Sequence, residues 1–334
     1  MKTVAFFNNK GGVGKTSMVY HLAWMFQDMG LSVLAADLDP QSNLTSAFLD
    51  DADLERLWPD GKHPNTIYGA AEPLVESLGD VKELKPVGIT AQLHLIAGDL
   101  NLSVFEDRLS QAWVNCSTDN PATAGDGFRV VTAFHRVVRA AAERSSSQIV
   151  LIDVGPNIGA MNRAALVAAD FVVIPIGADL FSLQGLRNLG PTLRNWRTEW
   201  ATRKGRKVPQ GLSIPGGQMK PLGYVLLNPS VQGNRPVKSY LKWANRIPAV
   251  YASDVLGTHG TTPAGVETDV HQLALLKHFK SLMPMAQDAR KPMFHLTAKD
   301  GAIGGHSAAV ADCRMQFVKL AQRIQSEMES IATL

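Results

Sequence analysis

The chain has 334 residues, 45% hydrophobic and 19% charged, enough for one large domain or two small ones with a buried core. A formal charge of +3 is too small to imply a nucleic-acid partner by itself, and two distant cysteines, Cys116 and Cys313, form no CxxC pair, which argues against disulfide scaffolds and zinc ribbons. No start segment reads as a signal peptide and no run reaches about 18 apolar residues, so a soluble protein of a reducing compartment, without a membrane partner, is expected.

In chain order, "TVAFF" (Thr3 to Phe7) reads as a buried strand leading into the glycine-rich "NNKGGVGKTS", with a helix from Lys15 to Met29 and Gly30 as its C-cap. "LSVLAADLD" (Leu31 to Asp39) is the next buried strand. Further short apolar runs fall at Leu93 to Gly98, Ser147 to Gly155, Asp170 to Gly177 and Pro221 to Pro229. Helices are predicted at Thr132 to Arg144, Met161 to Ala168 and Leu183 to Arg197. Continuous apolar strands separated by helical spacing point to an α/β fold, a mostly parallel central sheet flanked by helices. The expected organisation is a single domain over 1–334, with an insertion or irregular region at 50–90 and loops at 115–127 and 203–219. A terminal helix at 312–331 has a stripe of Phe317, Ala321, Ile324, Met328 and Ile331 for packing on the core. Glu327 and Glu329 on that helix disfavour a membrane-binding face.

The glycine loop carries the clearest chemistry. A phosphate-binding loop runs G-x-x-x-x-G-K-S/T between a strand and a helix. Gly14, Lys15 and Thr16 fill its second half, while Asn9 stands at the first glycine position. Gly11, Gly12, Val13 and Gly14 would turn their amides inward on phosphate oxygens. Lys15 would reach the β- and γ-phosphates, Thr16 would join a Mg²⁺ shell, and Ser17 completes the set. Asp37 and Asp39, two residues apart at a strand end, point the same way toward such a ligand. Asp153, ending the apolar "IVLID", has the position of a metal-holding carboxylate. Asn228, in "LLNP", is a candidate for the adenine edge or simply a turn former.

"KGGVGKT" resembles the deviant Walker A motif of the ParA/MinD class of P-loop ATPases, and Asn9 fits its ParA branch. "DLDPQ" resembles the second family signature and "DVGPNIG" the third, with Gly155 in place of a proline. The resemblance extends through Ala165 to Leu189 and covers most of the chain. It implies a P-loop NTPase fold, ATP and Mg²⁺ as cofactors, and a homodimer that sandwiches nucleotide. Lys10 would then cross the interface to the partner's nucleotide and contribute to catalysis with Lys15 and Asp39; otherwise it is a solvated loop lysine. The same resemblance places Asp39 on switch I beside the attacking water and near the metal, and puts Ala178 and Asp179 near nucleotide and interface. No iron–sulfur CxxC is present and the tail lacks tyrosines, so electron-carrier and tyrosine-kinase relatives fit poorly.

The charge is polarised. Of 33 basic residues 12 lie between Arg187 and Arg246, against a single acidic residue, Glu199. Arg187, Arg194 and Arg197 could share a helix side; Arg203, Lys204, Arg206 and Lys207 form a cluster; Arg235, Lys238, Lys242 and Arg246 repeat at helical spacing. Such a surface suits phosphate backbones rather than base reading, or else an acidic protein. With the phosphate loop at residue 8, no helix-turn-helix precedes it. The family resemblance therefore implies nonspecific binding of double-stranded DNA, a ParB-like adaptor that stimulates ATP hydrolysis, and a cytoplasmic, nucleoid-associated location.

Overall fold

A computed structural model of the chain describes residues 1–206, 208–228, 236–258, 265–279 and 281–332. β1 (Lys2–Phe6) runs through the glycine loop into α1 (Lys15–Asp28), followed by β2 (Val33–Asp37), α2 (Asn43–Phe48), α3 (Asp51–Leu57) and α4 (Ile67–Val75). β3 (Val87–Gly88) and β4 (Leu93–Ile96) precede α5 (Phe105–Asn115), α6 (Pro121–Val131) and α7 (Ala133–Arg144). Next come β5 (Ile149–Asp153), α8 (Ala160–Val167), β6 (Phe171–Gly177) and α9 (Leu180–Lys204). The remainder is β7 (Lys220–Asn228), α10 (Pro236–Ala244), α11 (Ile247–Val250), β8 (Gln272–Lys277), α12 (Met283–Ala289) and α13 (Gly305–Ala332).

Among the described residues one eight-stranded sheet has the order β3-β4-β2-β5-β1-β6-β7-β8, and only β3 runs antiparallel. Every central strand is buried on both faces, which is why the strands read as unbroken apolar runs. Side chains alternate between two cores: Ala5 and Phe7 face one together with α4 to α9, and Val4 and Phe6 face the other with α1, α12 and α13. On α13 the stripe behaves as expected, with Phe317, Ala321, Ile324 and Met328 all buried. Each such large apolar side chain contributes about 1.5–3 kcal/mol when fully buried.

Three expectations need correction. The 50–90 region is only partly irregular: Asp50 caps α3 through the Asp53 amide and Thr66 caps α4 through the Gly69 amide, while 76–86 has neither helix nor strand. The 115–127 loop is half helix. Asn120 accepts from the Ala122 and Thr123 amides, Pro121 opens α6, and Gly127 lets that helix close on α5, where a Cβ would stand 2.8 Å from the Ala112 carbonyl oxygen. Helix α9 starts earlier and ends later than Leu183 to Arg197, because Asp179 caps it at the Ser182 amide and Pro191 is tolerated inside. Gly190 allows α9 to pass against the π-helical turn at Tyr251–Leu256, where its Cβ would meet the Asp254 carbonyl oxygen at 2.0 Å. The 203–219 loop is irregular from 208 onward. Edge strand β8, which the sequence reading did not single out, is buried only at Leu273 and Leu276, with Leu275 44% exposed.

Candidate functional site

The C-terminal ends of β1, β2 and β5 lie side by side, with Phe6 in register with Asp153 and Asp153 in register with Asp37. Parallel strands deliver their following loops to this edge, the usual ligand crevice of such sheets. The glycine loop fills it. Gly12 and Gly14 adopt φ of 72° and 67°, conformations that a side chain would strain. Gly14 caps α1 without any side-chain bond, leaving the amide end of the helix open to an anion. Val13 is buried, so its contribution to a ligand is its amide, and a Cβ on Gly11 would meet open space.

Asn8, absent from the sequence expectations, braces the loop from beneath. Its Nδ2 donates to the Pro175 carbonyl at 2.6 Å, and its Oδ1 accepts from the Lys10 amide at 2.9 Å. Lys15 is only 7% exposed. Its ammonium donates to the Asn8 carbonyl at 3.2 Å and the Lys10 carbonyl at 3.4 Å. Burial lowers its pKa, against the opposing pull of Asp153 and Asp39. Lys10 lies on its own chain: Nζ donates to Asp179 Oδ2 at 2.7 Å and to Ser182 Oγ at 3.2 Å. Burial works against the Asp179 carboxylate, but the bonds from Lys10 and Ser182 outweigh it and hold its pKa below the usual range.

The three carboxylates differ in environment. Asp37 is fully buried and does structural work. Its Oδ2 accepts from the Thr45 amide at 2.8 Å and the Thr45 hydroxyl at 2.7 Å, fixing the start of α2. Burial pushes its pKa up to about 7, only partly offset by Thr45. Asp39 lies in the turn after β2, its Oδ1 accepting from the Gln41 amide at 3.0 Å. Asp153 is also fully buried, and neither of its carboxylate oxygens has a hydrogen-bond partner. Burial and then the facing Asp37 drive its pKa well above the ordinary value, while Thr16 and Lys15 pull the other way.

A buried carboxylate without donors, beside a threonine hydroxyl, fits a hard cation. Among the described residues no three His, Cys, Asp or Glu side chains converge into a metal cage. A Mg²⁺ held by Thr16 and Asp153 would therefore take its remaining oxygens from nucleotide and water, as this ion commonly does. Two cavities flank the loop. One, of about 480 Å³, is lined by Thr16, Ser17, Asn43, Ser46, Gln287 and Arg290 among others. The second, of about 170 Å³, lies between Gly14, Met18, Leu227, Phe279 and Phe317 and is the more apolar. Ser17 lines both. The Asn228 side chain lies outside the described residues.

Sequence reading also missed His21, which ties α1 to the C-terminal region. Its Nε2 accepts from the Met293 amide at 3.1 Å, so Nδ1 carries the proton that it donates to the Ser17 carbonyl at 2.6 Å. Burial pulls its pKa down to about 4, keeping it neutral.

The basic segment is less free than its composition implies. Arg203 stacks on Trp113 at 4.3 Å, donates to the Trp113 carbonyl at 2.9 Å and pairs with Glu199. Lys204 donates to the Gly216 carbonyl at 2.6 Å, Arg206 to the Ser117 carbonyl, and Arg194 to the Asp254 carbonyl. Arg197 is half-buried, which lowers its pKa. Arg187, Lys242 and Arg246 are exposed, the last two near the Trp243 ring at 5.2 and 5.0 Å from its centroid. Arg246 lies past the end of α10, as N-cap of α11, so the expected single basic helical face is broken there. Lys207, Arg235 and the Lys238 side chain lie outside the described residues.

Residues 1–204 match the family model AAA_31, described as an AAA domain. The chain is 34% identical over 201 residues to Protein IncC of Escherichia coli, 59% of this chain and 47% of that one. It is 29% identical over 198 residues to the sporulation initiation inhibitor protein Soj of Bacillus subtilis, 58% of this chain and 65% of Soj. The cell division protein PomZ of Myxococcus xanthus is 27% identical over 191 residues, covering 57% and 50%. The matched stretch thus spans less than two thirds of each of these relatives. In fold, the structure is similar to pNOB8 ParA (TM-score 0.65, 18% identity, 98% and 99% covered). It is also similar to a putative plasmid partition protein of Borrelia burgdorferi bound to AMPPNP (TM-score 0.56, 15% identity, 98% of both chains).

Proposed function

Because the chain belongs to the AAA_31 family of AAA domains and is a P-loop protein of the ParA/MinD type, we propose that it is an ATP-dependent dimerising switch ATPase that binds DNA nonspecifically and partitions or positions a cargo. The observation that carries this reading is the buried, partner-free Asp153 carboxylate near Thr16 and Lys15 at an open helix N-terminus. Lys15 and the loop amides bind the β- and γ-phosphates, and Thr16 and Asp153 hold Mg²⁺ directly or through water. A metal held there would supply positive charge to offset the charge that grows during phosphoryl transfer. Asp39 orients the attacking water. Lys10, once released from Asp179, supplies positive charge to the nucleotide of a second copy, which makes hydrolysis depend on dimerisation. Leu180 and Phe181, 50% and 77% exposed at the start of α9, and the exposed Ile158 offer apolar surface for that contact.

Arg187, Lys242 and Arg246 are the proposed DNA contacts, with a ParB-like adaptor stimulating hydrolysis and release on the nucleoid. A second reading is an ATP-switched protein acting on another protein assembly without DNA. The stacking of Arg203 on Trp113 and its bond to the Trp113 carbonyl favour it, because they withdraw that cation from the surface. Binding of double-stranded DNA with ATP, ADP or no nucleotide, across salt, separates the two. The first reading expects ATP-dependent binding that weakens steeply with salt and is lost in Lys15→Ala and in a Lys242→Ala/Arg246→Ala double variant. Dimerisation with ATP but no DNA binding at low salt would select the second.

A further inference from the structure

The segment after Asp153 has a keeper on the next helix. Asn162, on α8, is 1% exposed. Its Nδ2 lies 2.8 Å from the Gly155 carbonyl oxygen, 2.7 Å from the Asn157 carbonyl oxygen and 2.8 Å from Asn157 Oδ1. Three acceptors around one terminal atom identify it as the amide nitrogen, since a flipped side chain would set oxygen against oxygen. The other atom, Oδ1, is buried with no hydrogen-bond partner. That cost is accepted to keep the donor on the loop. Gly155 in turn lies flush against switch I: a Cβ there would stand 3.3 Å from Asp39 Oδ1 and 3.8 Å from Asn162 Nδ2. Helix α8 itself is anchored from α5, where the Glu106 carboxylate accepts from the Ala160 and Met161 amides at 2.6 and 2.8 Å. Asp39 Oδ1 therefore lies within one side-chain atom's reach of a glycine that Asn162 holds in place. A glycine segment with exposed Pro156, Asn157 and Ile158 beyond it has little else to fix it.

We propose that Asn162 is a positioning residue for ATP hydrolysis: by clamping the Gly155 to Asn157 segment it sets the place of the Asp39 carboxylate relative to the phosphate. This rests on the reading of Asp39 as the group that orients the attacking water. The clamp acts on turnover and not on affinity, since Asn162 is not among the loop residues that would bind phosphate. Gly155 does not have a positive φ, so alanine there tests the same wall from the other side through its Cβ contact with Asp39 and without backbone strain.

The experiment measures ATP turnover, ATP affinity and AMPPNP affinity for wild type, Asn162→Ala, Gly155→Ala and the double variant. Expected is a loss of about tenfold or more in kcat for each single variant, affinities within about twofold of wild type, and a double variant hardly worse than either single. Asn162→Asp, the same size but with an oxygen facing three acceptors, should be at least as impaired as Asn162→Ala. Wild-type kcat in Asn162→Ala, a parallel loss of nucleotide affinity, or fully multiplicative losses in the double variant would overturn the positioning role while leaving the ATPase reading intact. Should Asn162→Ala fail to fold, wild-type turnover in Gly155→Ala overturns it alone. A wild type that binds no ATP, or binds it without turnover, overturns both.

Discussion

Asp153→Asn should make the nucleotide-free protein more stable while disabling it. Both Asp153 oxygens are buried without donors, and Asp37 faces them from the next strand. Leaving one buried polar group unsatisfied costs about 1–3 kcal/mol, and more for a charged group. Folding must keep Asp153 protonated or bury its charge, whereas asparagine is neutral in both states, so a net gain of about 1–3 kcal/mol is expected near neutral pH. At this chain length, about 2 kcal/mol corresponds to a Tm rise of about 3 °C. The gain should depend on pH. The Asp153 pKa is raised in the folded state, so the native protein holds a proton that the unfolded chain releases. Wild-type stability then declines as pH rises from the unfolded carboxylate pKa, about 4, toward the folded value. The advantage of the variant is accordingly largest at about pH 7.5 and shrinks by about pH 5. Urea unfolding in EDTA at the two pH values measures it, and Mg²⁺-dependent stabilisation by ATP should disappear in the same variant. An Asp153→Asn protein less stable than wild type near neutral pH, or one still stabilised by ATP only when Mg²⁺ is added, would refute the reasoning.

Lys10→Ala removes a partly exposed ion pair with Asp179. Chemical denaturation should therefore show a loss of less than about 1 kcal/mol, whereas ATP-driven dimerisation, read by light scattering, should fail. Asp39→Ala is expected to bind ATP with near wild-type affinity and hydrolyse it poorly; wild-type turnover would remove Asp39 from the mechanism. Thr45→Val keeps the shape of Thr45 but strips the hydroxyl that donates to Asp37 and accepts from the Gly98 amide at 2.7 Å. It should cost about 2–4 kcal/mol in urea, because two fully buried groups lose a partner. A change under about 0.5 kcal/mol would mean that Asp37 does not hold α2.

Strand, loop and helix around Lys15 were legible because each is written locally: an apolar run, glycines at turning positions, then helical periodicity. The buried Asp153 carboxylate was legible for the same reason, since it ends its own strand. What escaped depends on partners remote in sequence. Glu106 reaches α8 across more than 50 positions, and His21 meets Met293 near the other end of the chain. No periodicity encodes such pairs. The charge count misled differently: composition records how many cations lie between Arg187 and Arg246, but not that Arg203 would turn inward onto Trp113. The loop expected at 115–127 was over-assigned. In fact Asn120 and Pro121 start a helix, and Gly127 serves its packing.

Helix α9 also has mechanical meaning. Its 25 residues form a rod of about 37 Å, with one end at the Lys10–Asp179 contact and the other at Arg203 and Lys204. The rod touches down at Gly190, whose bare backbone lies on the Asp254 carbonyl while Arg194 grips the same turn. On either side of that contact Leu183, Leu186, Leu189, Leu193, Trp196 and Trp200 are buried in the core, so the helix is held along one face for most of its length. The Lys10–Asp179 contact and the anchored Arg203 and Lys204 are therefore the two ends of one firmly packed span.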